Sequence, residues 1–193
     1  QLAGLRLWLR ADRGVTLDAA QRVVRWADQS SSGLDAVQPE PTQRPAIRRD
    51  ADPSSLPTVQ FDGERTFLEC TSSLGIPGDG DFTIALVLRL PKEFVNHSGI
   101  FSLRSHTGTD WNSPDGLAIV QSTHQFPYAV MVNRNTVNYL RRDLDAPQLV
   151  LIAQTPPDEI MSLLLTKTGT TASVRTNGMF ERTDTYQPAS TPS

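Results

Sequence analysis

The sequence predicts an all-β fold, a two-sheet antiparallel sandwich, on three observations. Apolar and polar residues alternate with a period of two in short runs, as they do along strands that bury one face. Loops rich in Gly, Pro, Asn, Asp and Ser separate these runs at short intervals. Helical spacing of apolar residues is nearly absent, and strands do not alternate with helices, which disfavours a parallel α/β sheet.

In the N-terminal part, the alternation predicts a first strand over residues 5–10 and a second over residues 22–26. Residues 38–57 contain five prolines and few large apolar side chains, so an irregular surface connection is predicted there. Strand character returns at residues 58–63, which end in an Asp-Gly turn signal. Residues 67–70 are predicted to be the partner or the continuation of that strand.

A strong central strand is predicted over residues 82–90, and residues 162–183 are predicted to form a meander of hairpins. Thr168-Gly169 separates two β-prone runs, and Asn177-Gly178 offers the pair of positive φ angles that a type I′ turn needs. Residues 158–161 are the only plausible helical turn. Further strands are predicted over residues 100–104, 117–121, 128–132, 136–141, 149–154 and 162–167. The chain is interpreted as one domain, residues 1–187, with residues 188–193 as a tail or a truncated connection.

Composition and charge exclude several classes of function. The 21 acidic and 18 basic residues leave a formal net charge of −3, and the arginines are scattered, whereas nucleic-acid binding needs clustered positive charge. No run approaches the roughly 18 apolar residues of a membrane span, so membrane insertion is not expected. Cys70 is the single cysteine, which excludes an internal disulfide and a cysteine-based zinc site. The three histidines, whose spacing fits no zinc site or catalytic triad, are expected to be solvated: His97, His106 and His124.

Three segments carry a resemblance to a known family. They are residues 7–12 (Leu-Trp-Leu-Arg-Ala-Asp), residues 24–30 (Val-Arg-Trp-Ala-Asp-Gln-Ser) and residues 56–63, which end in Phe-Asp-Gly. Their order and spacing resemble the laminin G-like domains of the concanavalin A-like lectin/glucanase superfamily, common in bacterial secreted and surface proteins. The resemblance implies a jelly roll, a secreted or cell-surface location, and a binding or adhesion module.

The sequence differs from the pattern of this family in one respect. Such domains usually finish with a further strand and a short helix, and nothing similar follows here. We therefore expect that the sequence is an N-terminal fragment of a longer polypeptide, with other domains or the missing segment as partners.

The functional expectation is a noncatalytic module that presents loops to a glycan or protein ligand. Glucanases of this fold carry a Glu-x-Asp-x-x-Glu pattern along one strand, and it is absent from this sequence. Two alternatives remain open at this stage: a structural interaction domain of a multidomain protein, and a polysaccharide hydrolase or lyase of the same fold.

One loop, residues 110–116, is the most suggestive site. Asp110, Asn112 and Asp115 bring three oxygen-bearing side chains around a turn, as hard cations such as Ca²⁺ prefer. Trp111 and Asn112 are candidates for ligand binding, because an indole ring can stack on a sugar. The loop does not follow the EF-hand pattern, and turn residues that bond their own backbone are the preferred interpretation over a metal site. A second, thinner candidate is Asp79-Gly80-Asp81.

Three aromatic residues could form a platform for saccharides: Trp8, Trp26 and Phe61. Core packing is the favoured interpretation, because each belongs to an alternating run whose apolar neighbours mark a buried face. Asp28 and Asp62 precede loop residues, so both are predicted to bond nearby backbone N–H groups rather than a ligand. Cys70 is expected to be a small core filler because it has no positive neighbour.

Overall fold

A computed structural model provides the structure of the chain. It describes residues 2–49, 55–70, 72–75, 81–91, 98–103, 117–121, 128–132, 149–153, 158–169 and 171–185. Over these residues the fold is all-β with antiparallel strand pairs, as the sequence predicts. The one helical element among them is a 3₁₀ turn at Pro41–Gln43. The chain divides into two compact units, Gln1–Gly75 and Ile76–Ser193.

The first unit is built from very short strands. They are β1 (Val15–Leu17), β2 (Val23–Trp26), β3 (Ala36–Val37), β4 (Ala46–Arg48), β5 (Thr58–Gln60) and β6 (Glu69–Cys70). One sheet has the order β1-β2-β3-β6, and β4 pairs with β5 in a separate two-stranded sheet. Strands of two to four residues supply few ladder hydrogen bonds, so side chains must satisfy much of the remaining backbone.

Longer strands form two sheets in the second unit. Its strands are β7 (Phe82–Arg89), β8 (Ser98–Leu103), β9 (Leu117–Gln121), β10 (Tyr128–Val132), β11 (Leu149–Ala153), β12 (Ile160–Thr168), β13 (Thr171–Thr176) and β14 (Met179–Thr185). One sheet has the order β14-β13-β12-β7 and the other β11-β10-β9-β8. Strand β11 approaches β13 and β14, so the two sheets contact each other.

The core of the second unit lies on one face of the β14-β13-β12-β7 sheet. Its buried side chains follow the two-residue period of the strands. Ile100 and Phe101 of β8 pack against it from the other sheet. Full burial of a large apolar side chain stabilises a fold by roughly 1.5–3 kcal/mol. The buried cluster consists of Phe82, Leu90, Met161, Leu163, Leu165, Ala172 and Val174.

Hairpin turns in the second unit form where the sequence predicts them. Asn177 and Gly178 have φ angles of 48° and 78°, the pair of positive values that joins β13 to β14. Gly169, with φ 55°, lies in the turn between β12 and β13. The helical turn predicted over residues 158–161 is wrong, because Asp158 has φ 61° and the chain enters β12 at Ile160.

The predicted first strand, residues 5–10, does not form. The burial alternation is present, with Leu5, Leu7 and Leu9 half-buried, but the segment pairs with no strand and Arg10 makes only an isolated bridge. Its backbone is held instead by residues 28–30. The Trp8 N–H donates to Asp28 and the Trp8 carbonyl accepts from the Gln29 N–H, at 2.9 and 2.8 Å. The alternation of apolar and polar residues therefore indicates an extended segment here, but not one that is hydrogen-bonded into a sheet.

Other boundaries in the first unit also differ from the sequence prediction. The proline-rich segment predicted as irregular contains β4, which pairs with β5 in an edge position compatible with nearby prolines. Residues 67–70 contribute β6, which pairs with β3 rather than with β5. Strand β1 follows Gly14, whose φ of 78° marks the predicted turn, and was not expected as a strand.

Strand β7 begins at the predicted residue and ends one residue before the predicted end, but its place in the sheet differs from the prediction. The sequence predicts a central strand, and β7 lies at the end of the four strands that the structure describes in its sheet. It pairs with β12 without a register shift, from Phe82 opposite Lys167 to Arg89 opposite Ile160. The predicted strand over residues 136–141 lies outside the described residues.

Candidate functional site

An open cleft of about 440 Å³ lies on the surface of the first unit. Three segments border it: the turn between β1 and β2, the start of the 3₁₀ turn, and the loop after β5. We call it the unit 1 cleft. It is lined by Asp18, Ala20, Arg22, Pro41, Thr42, Asp62, Arg65 and Thr66.

The first wall of the cleft is a tight turn organised by Asp18. Its Oδ1 accepts hydrogen bonds from the backbone N–H groups of Ala20 and Arg22, each at 2.9 Å. The Asp18 N–H donates to the Arg22 carbonyl, and Gln21 takes a φ of 60° to close the turn. Aspartate suits this position because its short carboxylate reaches the backbone two to four residues on. Asp18 therefore holds the turn in shape.

Arg44 holds this turn in place through an ion pair with Asp18. Its Nη1 lies 3.0 Å from Asp18 Oδ2, and its other nitrogens donate to the carbonyl oxygens of Gln38 and Pro39. The N–H of Arg22 and the guanidinium of Arg44 lower the pKa of Asp18 below its ordinary value, although burial opposes the shift. Asp18 is consequently charged at neutral pH and neutralised by Arg44.

The opposite wall is the loop after β5, organised by Asp62. Asp62 Oδ1 accepts hydrogen bonds from the N–H groups of Glu64, Arg65 and Thr66 at 2.8 to 2.9 Å, and from the Thr66 hydroxyl at 2.9 Å. Burial disfavours the charged carboxylate, but these donors outweigh it and hold the pKa of Asp62 far below its ordinary range. Asp62 is a fixed negative charge whose Oδ1 is saturated.

The two arginines of the cleft are engaged less fully. Arg22 donates one guanidinium N–H to the Arg44 carbonyl at 3.1 Å. The Arg65 side chain is exposed, and it makes no hydrogen bond or ion pair with any residue that the structure describes. Unlike these arginines, the threonine hydroxyls of the cleft already donate to carboxylates: Thr42 to Glu40 at 3.0 Å and Thr66 to Asp62. The guanidinium groups are thus the cleft's main uncommitted donors.

A second polar network in the same unit surrounds Asp28. Its carboxylate accepts from the N–H groups of Trp8, Ser30 and Leu34 and from the Ser30 hydroxyl, at 2.6 to 3.0 Å. Burial opposes the charge, but the Ser30 hydroxyl and the three N–H groups lower the pKa of Asp28 to about 2. The prediction that Asp28 and Asp62 bond nearby backbone groups is confirmed.

The predicted core packing of the aromatic residues is wrong for two of the three. Trp8 and Phe61 are each 44% exposed. Trp8 lies on the extended segment that pairs with no strand among the described residues, and Phe61 follows the end of β5. Arg10 lies over the Trp8 ring, 5.5 Å from its centroid. Trp26 is half-buried and donates its indole N–H to the Arg10 carbonyl at 2.7 Å.

Cys70 and Asp81 have structural environments. The Cys70 thiol is half-buried and contacts the Leu34 carbonyl at 3.4 Å, and burial together with Asp28, Asp35 and Glu69 raises its pKa. A thiol of this kind is a poor nucleophile, in line with the predicted filler role. Asp81 accepts a hydrogen bond from the Gly169 N–H at 2.7 Å, so it supports the turn between β12 and β13.

The predicted ligand and calcium residues lie outside the described residues: Asp110, Trp111, Asn112 and Asp115, with Asp79 and the three histidines. Calcium binding by that loop stays a prediction. Within the described ranges, no three His, Cys, Asp or Glu side chains are grouped to hold a metal ion. No sequence pattern predicts the set of residues that forms the cleft, because its three segments lie far apart in the chain. The Asp62-Gly63 turn signal was the one local sign.

Comparisons with known proteins add no relative. No family model matches the chain, and neither curated proteins nor solved structures give a match. In the part of the chain that the structure describes, no helix has the length and apolar character to cross a membrane.

Proposed function

We propose that the chain is a noncatalytic glycan-binding module of the concanavalin A-like, jelly-roll type, part of a larger secreted or cell-surface protein. The observation that carries the proposal is the unit 1 cleft. It combines uncommitted guanidinium donors with carboxylate acceptors on turns fixed by side chain to backbone hydrogen bonds. A recess of this kind suits a ligand rich in hydroxyl groups, because the backbone of its turns is already ordered before binding.

The carboxylates of the cleft argue for binding rather than glycoside hydrolysis. A glycosidase needs one carboxylic acid whose pKa is raised, so that it carries a proton to the leaving group near neutral pH. Asp18 and Asp62 both have lowered pKa values because backbone N–H groups stabilise their charged forms. Each is suited to accept hydrogen bonds from sugar hydroxyls and unsuited to act as a general acid.

A cleft-filling substitution tests the proposal. Ala20 is exposed and lines the cleft, so Ala20→Trp fills space without removing a side chain contact. Ala19→Trp is the matched control, since Ala19 is also exposed, lies in the same turn and does not line the cleft. The wild-type chain is first screened on an array of soluble glycans. Calorimetry with the best-bound glycan should then show at least about tenfold weaker binding for Ala20→Trp.

Equal binding by Ala20→Trp and the wild type would remove the cleft from the proposal. Ala19→Trp should retain wild-type affinity, which shows that the added indole alone does no harm. If the array shows no glycan ligand, a protein partner is the next candidate for the same cleft.

A second candidate function, a structural interaction domain, has a separate observation in its favour. Val87 and Ile160 are 80% and 63% exposed on the outward face of β7 and β12. Adjacent exposed apolar side chains of this kind occur at protein contact surfaces. Absence of glycan binding, together with self-association in sedimentation experiments, would favour this function.

A further inference from the structure

We infer that the unit 1 cleft selects acidic glycans, in which a carboxylate or sulfate group is bound by Arg22 and Arg65. The inference rests on the proposed glycan-binding function and adds the chemical class of the ligand. It depends on how the charges and hydrogen-bonding groups of the cleft are already used.

One of the two negative charges of the cleft is compensated by a cation of the protein. The Asp18 carboxylate forms an ion pair with Arg44, which does not line the cleft. Asp62 keeps its negative charge, which three backbone N–H groups and one hydroxyl stabilise. Neither carboxylate needs Arg22 or Arg65 as a partner.

The positive charges of the cleft have no such compensation. Arg22 has one hydrogen bond, to the neutral carbonyl of Arg44, and the Arg65 side chain has no partner among the described residues. A guanidinium presents its N–H groups as a planar fork that fits a carboxylate or sulfate with two hydrogen bonds. With Asp18 paired to Arg44, the charged side chains left in the lining are Arg22, Arg65 and Asp62, an excess of one positive charge.

The hydrogen-bond inventory points to the same ligand. The hydroxyls of Thr42 and Thr66 already donate to Glu40 and Asp62, so the arginines must supply the donors to a ligand. Asp62 Oδ2 accepts no hydrogen bond from the described residues and Asp18 Oδ2 accepts one, from Arg44, so both atoms can accept from sugar hydroxyls. An acidic sugar offers both complements, an anionic acceptor for the arginines and hydroxyl donors for the aspartates. The whole chain has a net charge of −3, so general attraction does not explain such binding.

Matched glycan probes test this inference. Oligogalacturonate is compared with its neutral methyl ester, and a sulfated oligosaccharide with its desulfated form, by calorimetry on the full chain. We expect at least one acidic probe to bind about tenfold more tightly than its neutral partner, and this preference to shrink as sodium chloride is raised. The carboxylate and sulfate arms identify which anion is preferred.

Variants at Arg65 connect the preference to the cleft. Arg65→Gln should bind the acidic and the neutral probe with similar affinity, because the cation that separates them is gone, and Arg65→Lys should retain part of the acidic preference because the charge remains. Arg6→Gln is the matched control, since Arg6 is an exposed arginine of the same unit outside the cleft. Far-UV circular dichroism confirms the fold of each variant.

The outcomes separate the inference from the proposed function. If acidic and neutral probes bind equally and Ala20→Trp weakens both, the cleft binds glycans and the inference is wrong. If the acidic preference persists in Arg65→Gln, the anion is bound elsewhere and the inference is also wrong. If none of the probes and no array glycan binds, both the function and the inference fail.

Discussion

The two units stabilise similar antiparallel structure by different means. In the second unit, long strands bury a continuous apolar cluster on one face of a sheet. In the first, Val23, Ala36 and Pro45 are the only apolar residues that are buried among those described, and its strands have four residues or fewer. Charged side chains bonded to backbone groups take the place of a large core, with Asp18, Asp28 and Asp62 each organising a turn.

The two units therefore differ in what their main interactions provide: apolar burial stabilises the second unit, and hydrogen bonds to carboxylates fix the loops of the first. Apolar burial is nondirectional and tolerates small movements of its members. A carboxylate that accepts three or four hydrogen bonds fixes a loop in one shape, because each bond has a preferred distance and angle. The cleft lies where such carboxylates hold the loops. A surface with fixed loops is thus available in the unit that has the smaller core.

The largest expected effect is loss of core volume in the second unit. Leu165 is fully buried in β12, so Leu165→Ala should lower the free energy of unfolding by about 2–5 kcal/mol. Val87→Ala removes an apolar group from the same sheet at a position that is 80% exposed, and it should change stability by less than about 0.5 kcal/mol. Urea titration followed by circular dichroism measures both. Similar losses in the two variants would show that this face is not the core.

A smaller effect is expected from removing the carboxylate of Asp28 in the first unit. Asp28→Ala leaves the N–H groups of Trp8 and Leu34 without their acceptor, at a cost of about 1.5–3 kcal/mol. The damage should be local, since residues 5–10 have no strand partner to hold them. Hydrogen exchange should speed up at Trp8 and Leu34 and stay unchanged in β12. Asp12→Ala is the control, because Asp12 bonds only the exposed Arg10 side chain.

The contrast between the units also explains which elements the sequence predicts. Strands β9 and β10 have the predicted bounds, and β7, β11 and β12 differ by a residue or two at their ends. Long alternating runs carry a readable period, and Asn177-Gly178 permits few conformations other than a tight turn. Lys167 lies on the buried face with Leu163 and Leu165, as the two-residue period of β12 predicts. The period places it there although its side chain is polar.

The short elements of the first unit were not predictable in the same way. Strands β1 and β3 have three and two residues, too few to show a period of two. Their existence depends on pairing with distant segments, which local sequence does not specify. The role of Asp62 was predictable from its turn, but the approach of that turn to Asp18 and Thr42 depends on the tertiary fold. Local sequence therefore predicts individual turns, whereas the cleft depends on contacts between segments that are distant in the chain.

The smallest expected effect is the pH dependence of the first unit. The pKa of Asp28 is about 2 in the folded chain against an ordinary value of 3.8, so the charged form is favoured by folding. A lowered pKa contributes stability above the ordinary value and loses it as the pH falls from about 4 to about 2. Because solvent screens the carboxylate in part, the Asp28 share should stay below about 1 kcal/mol.

The variant Asp28→Asn distinguishes the contribution of Asp28 to the pH dependence from the contributions of the other carboxylates. The free energy of unfolding is measured by urea titration in both proteins at several pH values within this window, with the indole resonance of Trp8 reporting on the first unit. The difference between wild type and variant should shrink as the pH falls, because the variant cannot be protonated there. Asp18 and Asp62, with lowered pKa values of their own, should leave a residual acid sensitivity in the variant. A constant difference across the window would mean that the charge of Asp28 does not stabilise its loop, and the neutral hydrogen bonds alone would then account for the shape of residues 28–34.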